Sequence, residues 1–241
     1  MKTTTLLLLF VSLSLTCLAQ TPQETEDWSR KPDLVTPGDN NAPPSDAIVL
    51  WGKKGDLKNW EGNKEKPATW TEDDCLTVNP KTGGIRSKEA FGDVQMHIEW
   101  RSPEKVEGKG QGRGNSGIYF MGLYEVQVLD SYENETYYNG QASSIYKQHI
   151  PLANASRPPG VWQEYDIIFK APRFKNDGSL ESPACFTVIH NGVLVQNHVK
   201  LKGPTVFIGK PKYKSHAAEL PVFLQDHNNP VSYRNIWIRK L

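Results

Sequence analysis

Between Asn115 and Asp130 the chain sets a carboxylate, an amide and two phenols within one short stretch. Read as an extended strand, Glu125 and Gln127 share a face about 6 to 7 Å apart, while Val126 and Val128 turn to the core. Asp130 falls off that face by strict alternation, and a bulge at the strand end would turn it inward. Beside Tyr119 and Tyr124, such a face suits a sugar: aromatic planes stack on the ring, and carboxylates and amides bind its hydroxyls. Standing alone, a Glu-x-Gln pair reads more simply as decoration of a solvent-facing sheet.

Two further segments add to it. Phe223–His227 places Gln225 and His227 on a common face near a strand end, and Arg234 follows shortly after. A histidine can exchange a proton near neutral pH, and an arginine can fix an anion or a developing oxyanion. A turn-capping histidine and a solvated arginine account for the same residues equally well. The polar loop Asn154–Gly160 could cover a groove edge, with Lys147 and Arg157 entering from loops. Asn134 and Asn154 fit the glycosylation pattern, which matters only in a eukaryotic secretory route. Gly110–Gly114 is glycine-rich, but no helix follows to supply a dipole, so a phosphate loop is excluded.

The elements that must position these groups are strands. Period-2 alternation recurs and helical periodicity is nearly absent. Along Asp93–Trp100, Val94, Met96, Ile98 and Trp100 form a dry side; Asp93, Gln95, His97 and Glu99 form a wet one. Order begins at Ala47–Trp51, and further strands are expected at Gly117–Phe120, Tyr124–Leu129, Glu164–Lys170, Phe186–His190, Val193–Val199, Val222–Asp226 and Tyr233–Arg239. Asn191-Gly192 marks a hairpin turn, and Glu104–Gly114 a flexible loop. The pattern predicts an all-β fold, a jelly-roll sandwich of two antiparallel sheets.

Composition narrows the setting. The 241 residues are 37% hydrophobic and 10% aromatic with a net charge of +1, which gives no electrostatic footprint for nucleic acid. Met1-Lys2, the apolar run Leu6–Leu15 and the small residues before Gln20 read as a signal peptide over residues 1–19. The chain is therefore expected to be exported, periplasmic or extracellular. Lipidation at Cys17 is the weaker alternative, because Ser14-Leu15-Thr16 is a poor lipoprotein box. No later stretch is long enough to be a transmembrane helix. Residues 20–43 read as a tether or surface-hugging arm. Cys75 and Cys185 allow one disulfide or two free thiols. No Cys/His spacing suggests zinc.

Pro44–Trp51 with Leu57–Trp60, Asn115–Phe120, Tyr124–Asp130, Asn154–Gly160, Leu224–His227 and Arg234–Ile238 resemble, in order, the signature segments of the 3-keto-disaccharide hydrolase domain family. The resemblance covers roughly residues 44 to 241. It implies a concanavalin-A-like jelly roll in exported bacterial proteins that handle carbohydrates oxidised at the 3-position. Glu125–Asp130 is also similar to the Glu-x-Asp-x-x-Glu strand of retaining β-glucanases on the same fold. Here Gln127 cannot ionise and Asp130 is one methylene shorter, which puts double displacement in doubt.

The expected activity is cleavage of the glycosidic bond in 3-keto-glycosides, by elimination and hydration. The alternatives are a retaining glycosidase using Glu125 and Asp130, and a non-catalytic carbohydrate-binding module. Glu125, His227 and Arg234 are the expected catalytic groups. Gln127, Gln225, Tyr119, Asp130, Lys147 and Arg157 are the expected binding groups. No cofactor is expected; a structural divalent cation is compatible with the fold, but no ligand run marks a metal site. Oligomeric state is left open.

Overall fold

Val94, Met96, Ile98 and Trp100 are all buried, and the sheet they belong to sets the architecture. The computed structural model describes residues 21–241; the expected signal peptide and Cys17 lie outside them. Residues 21–34 carry one 3-10 turn, Pro22–Thr25, and are exposed.

Residues 35–241 form a compact body. Its strands are β1 (Ile48–Trp51), β2 (Trp60–Glu61), β3 (Thr71–Glu72), β4 (Leu76–Thr77), β5 (Ile85–Phe91), β6 (Val94–Arg101), β7 (Ser116–Phe120), β8 (Tyr124–Val128), β9 (Gln163–Lys170), β10 (Arg173–Phe174), β11 (Leu180–Ser182), β12 (Cys185–His190), β13 (Val193–Lys200), β14 (Leu220–Leu224) and β15 (Ser232–Lys240). Eight make one sheet in the order β13-β12-β9-β6-β15-β4-β3, with β1 also on β15. Five make the second, β2-β5-β14-β7-β8, and β10 pairs with β11 in a separate ribbon. The described residues contain 3-10 turns but no α-helix, and none is long and apolar enough to cross a membrane.

The two large sheets pack face to face as a jelly-roll sandwich. Phe120 on β7 meets Phe169 on β9 and Phe186 on β12, each with ring centroids 5.1 Å apart. Two buried hydroxyls bind the layers by direction as well as by contact. Tyr165 on β9 donates to the Gln127 carbonyl at 2.9 Å. Tyr233 on β15 donates to Ser116 Oγ at 2.6 Å, which in turn donates to the Gln225 carbonyl at 2.6 Å. A buried hydroxyl left unpaired would cost about 1–3 kcal/mol, so these bonds fix where β7, β8 and the end of β14 can sit.

Some expectations are revised, and some open alternatives are decided. The wet side of β6 is not wet at His97 and Glu99, which are 1% and 7% exposed. Trp237 stacks on His97 (centroids 5.3 Å), and Arg234 Nε bonds Glu99 Oε2 at 2.6 Å. Within the segment read as a tether or surface-hugging arm, Asn41 O accepts from Trp237 and Asn235, and just beyond it Asp46 is held bidentately by Arg239. Cys75 and Cys185 are free thiols. Glu104–Gly114 is pinned rather than loose, since Gly110 and Asn134 exchange two hydrogen bonds. Asn134 and Asn154 donate their side-chain amides to the Asp130 and Ser131 carbonyls.

Candidate active site

Alternation along β7 and β8 decides what reaches the cavity. Ile118, Phe120, Val126 and Val128 face the core and are buried. Tyr119, Glu125 and Gln127 turn the other way and line a cavity of about 690 Å³ on the outer face of the five-stranded sheet. Tyr119 and Glu125 are directly paired across the two strands. Gln225 and His227, just past β14, line the same cavity. Gln225 Nε2 lies 3.3 Å from the Tyr119 hydroxyl.

Among the described residues, Glu125 is the only carboxylate in the cavity wall. It is 3% exposed, and Oε2 has no hydrogen-bond partner. Burial pushes its pKa up to about 8, against a smaller lowering by the Tyr119 hydroxyl. A carboxylate held this way is a stronger base than one in water. The carboxyl lies over Gly117, where a Cβ would stand 2.6 Å from Glu125 Oε1. Glycine is needed here for space rather than for its backbone angles.

Gln127 is held in one sense. Its Nε2 donates to Gln111 Oε1 at 3.1 Å and to the Gly140 carbonyl at 3.2 Å. A carbonyl can only accept, so the amide cannot be flipped, and Oε1 is left as an unpartnered acceptor. Glu125 Oε2 and Gln127 Oε1 thus make the buried floor acceptor-rich, matched to a ligand that brings hydroxyl donors.

The far wall is aromatic and was not read from the sequence. Tyr137, Tyr146, Thr205 and Phe207 line it, with Gln111, Gly112 and Asn115 at the end. The Tyr137 and Tyr146 hydroxyls lie 2.7 Å apart. Burial first, then Tyr137, raises the Tyr146 pKa well above the ordinary phenol range, so it stays a donor. Two hydroxyls sharing one bond leave one O–H to point elsewhere. Thr205 Oγ1 accepts from the Glu125 backbone N–H at 3.1 Å. The Tyr137-Tyr138 doublet was the available signal, but nothing in its spacing ties it to β8.

Four expected members stand elsewhere. Arg234 lies on β15 in the eight-stranded sheet, bonded to Glu99 and stacked 4.2 Å from the Trp162 ring. Arg157 is engaged with the Trp162 carbonyl and Glu164. Asp130 follows the end of β8 and pairs with Arg113 at 2.7 Å, lining a separate hollow. The expected inward turn does not occur because this partner holds it. Lys147 is behind the aromatic wall: Nζ donates to the Phe207 carbonyl at 2.6 Å and lies 4.1 Å from the Phe207 ring centroid. Among the described residues, no group of three or more His, Cys, Asp or Glu could hold a metal ion.

The arrangement offers one buried base, phenol and imidazole proton carriers, and hydroxyl acceptors. Double displacement at a sugar needs a second carboxyl about 5 to 5.5 Å away, and among the described residues the cavity wall has none.

Residues 46–239 match the family described as 3-keto-alpha-glucoside-1,2-lyase-like domain. A crystal structure from Parabacteroides distasonis ATCC 8503, described as a candidate glycosyl hydrolase, is 50% identical. It matches over 92% of this chain and 97% of its own with a TM-score of 0.87. A second candidate glycosyl hydrolase from that organism, 17% identical over 81% of this chain and 94% of its own, shares the fold at a TM-score of 0.59. No curated protein sequence matches the chain.

Proposed function

The chain belongs to the 3-keto-alpha-glucoside-1,2-lyase-like family of carbohydrate-active enzymes, and from that premise we propose that it cleaves 3-keto-glycosides by elimination. The observation that carries the reading is the lone, buried Glu125 with its raised pKa. A ketone at C3 acidifies the C2 proton, so one base suffices where hydrolysis of an ordinary glycoside needs two carboxyls.

Glu125 takes the proton from C2, and the C2–H electrons form a C2–C3 enolate with the charge on the C3 oxygen. The outward O–H of the Tyr137–Tyr146 pair donates to that oxygen. The enolate then collapses, C1–C2 becomes a double bond, and the C1–O bond breaks. His227, whose ring can carry a proton, supplies it to the leaving oxygen. Addition of water across C1–C2 returns a saturated 3-keto sugar and completes a net hydrolysis. Gln127, limited to accepting, takes a ring hydroxyl, and Gln225 orients Tyr119 against Glu125.

Matched native and 3-keto disaccharides, followed by sugar release, test the reading. Turnover is expected only with the oxidised substrate; equal rates on both would overturn it.

A further inference from the structure

The chemistry over Glu125 does not by itself select what else the sugar carries at the reacting carbon. A C3 ketone acidifies C2–H whether that carbon bears a hydroxyl, an ether or only hydrogen. Selection must come from the wall beside the base, and the side chain standing there is Gln127.

Strand register brings the two together. Glu125 is paired with Tyr119, and Gln127 is paired with Gly117. Residues paired this way have Cβ positions about 4.5–5.5 Å apart. The Glu125 carboxyl does not stay in its own row. It leans over Gly117, its carboxyl carbon 3.3 Å from where a Cβ on that glycine would stand. It therefore sits in the row of Gln127, beside that side chain. Both residues end in a buried acceptor without a partner, Oε2 of Glu125 and Oε1 of Gln127.

Gln127 is fixed at both ends. Its backbone N–H donates to the Ser144 carbonyl, and its carbonyl accepts from the Ser143 N–H and the Tyr165 hydroxyl. Its amide is held through Gln111, whose own Nε2 donates to the Gly140 carbonyl at 2.9 Å and to Thr136 Oγ1 at 3.1 Å. Gln111 can therefore offer Gln127 only its oxygen, and both N–H bonds of the Gln127 amide are taken. Oε1 cannot turn to find a donor of its own. A buried acceptor left this way weakens binding unless the ligand brings the donor.

We propose that Gln127 is the specificity-determining residue for the C2 substituent: its Oε1 accepts a hydrogen bond from the C2 hydroxyl while Glu125 faces the C2–H. The site then takes 3-keto sugars with a free hydroxyl at C2 and rejects those with hydrogen or an O-alkyl group there. This role rests on the elimination reading above, which makes C2 the carbon over Glu125.

The probes are a 3-keto sugar from which nothing can leave C1, 1,5-anhydro-3-keto-glucitol, and its 2-deoxy counterpart. Calorimetry on the wild type should give a Kd about ten-fold lower, or more, for the hydroxylated compound. Gln127→Met keeps the length of the side chain and removes the acceptor. It should bring the two Kd values within about three-fold, by weakening the hydroxylated compound. Equal Kd values in the wild type would overturn the role of Gln127, whatever the variant does. So would a preference retained in full by Gln127→Met. The hydroxylated compound in D₂O with the wild type reports the base separately. Exchange at C2 above an enzyme-free control is expected; its absence beside an intact preference would overturn the elimination reading and not the preference.

Discussion

Glu125 is the proposed base, and its environment sets two measurable pH effects. Burial holds its pKa near 8, so kcat/KM should rise with pH through that value as the base ionises. Tyr119 opposes the shift, so Tyr119→Phe should move the rising limb to higher pH. Glu125→Gln should lose about 10²- to 10⁴-fold in kcat/KM. Stability runs the other way. A carboxyl whose folded pKa lies above its unfolded value destabilises the protein as it ionises. The wild type should therefore lose Tm relative to Glu125→Gln as pH rises from about 4.5 through about 8; a constant gap would contradict the burial assigned to this group. Gly117→Ala tests the same carboxyl by crowding, because the new Cβ would displace Oε1. Its activity should fall more than its Tm. At this scale the sequence disclosed Glu125, Gln127, Tyr119, Gln225 and His227 through strand alternation. Arg234 was misplaced because closeness in sequence to His227 does not reveal a change of sheet: after Pro230 the chain leaves the five-stranded sheet for β15.

Elements with strict alternation or strong turn chemistry were legible before the fold. Asn191 and Gly192 take φ of 50° and 80°, the positive pair a type I′ turn requires, and β12 and β13 close around them. β5 was not read because Ile85–Phe91 has a polar centre. Ser87 is nonetheless fully buried, bonded to the Glu89 carbonyl and the Val222 N–H. The aromatic wall was equally hidden, since its residues come from two segments joined only in space. Lys147 is the clasp between them, with its Nζ near the Tyr137, Tyr146 and Phe207 rings. Lys147→Met keeps the stem and removes the charge. It should raise KM about ten-fold, the cost of one charge-assisted hydrogen bond, with kcat little changed. A fall in kcat alone would place Lys147 in the chemistry instead.

Across the whole molecule, the two sheets divide the labour. The five-stranded sheet bears the cavity, and the eight-stranded sheet backs it through Tyr165 and Tyr233. On the latter's outer face, burial opposes charge on His97, yet Asp166 and Glu99 hold its pKa up, to about 9. Burial likewise opposes the Glu99 charge, and His97, Asn235 and Arg234 outweigh it, holding its pKa near 2. The His97 contribution is complete below about 6.5 and lost as pH rises through about 9; the Glu99 contribution is complete above about 4.5 and lost as pH falls through about 2. His97→Gln should therefore cost most Tm between pH 4.5 and 6.5, with the gap to wild type closing above pH 9. A pH-independent gap would contradict the ion pairing. The sandwich was legible as a class, but the cluster was not, because alternation marks which side of β6 is polar and says nothing about what later packs over it.

The central claim is that the C2–H bond breaks before the C1–O bond. Turnover of a 3-keto-disaccharide in D₂O, with the C2 position of the hydrated product read by NMR against an enzyme-free control, tests it most directly. Elimination and hydration predict deuterium at C2 from the first turnovers, because the proton lost to Glu125 is replaced from solvent when water adds. Product that retains its original C2 hydrogen would contradict the account.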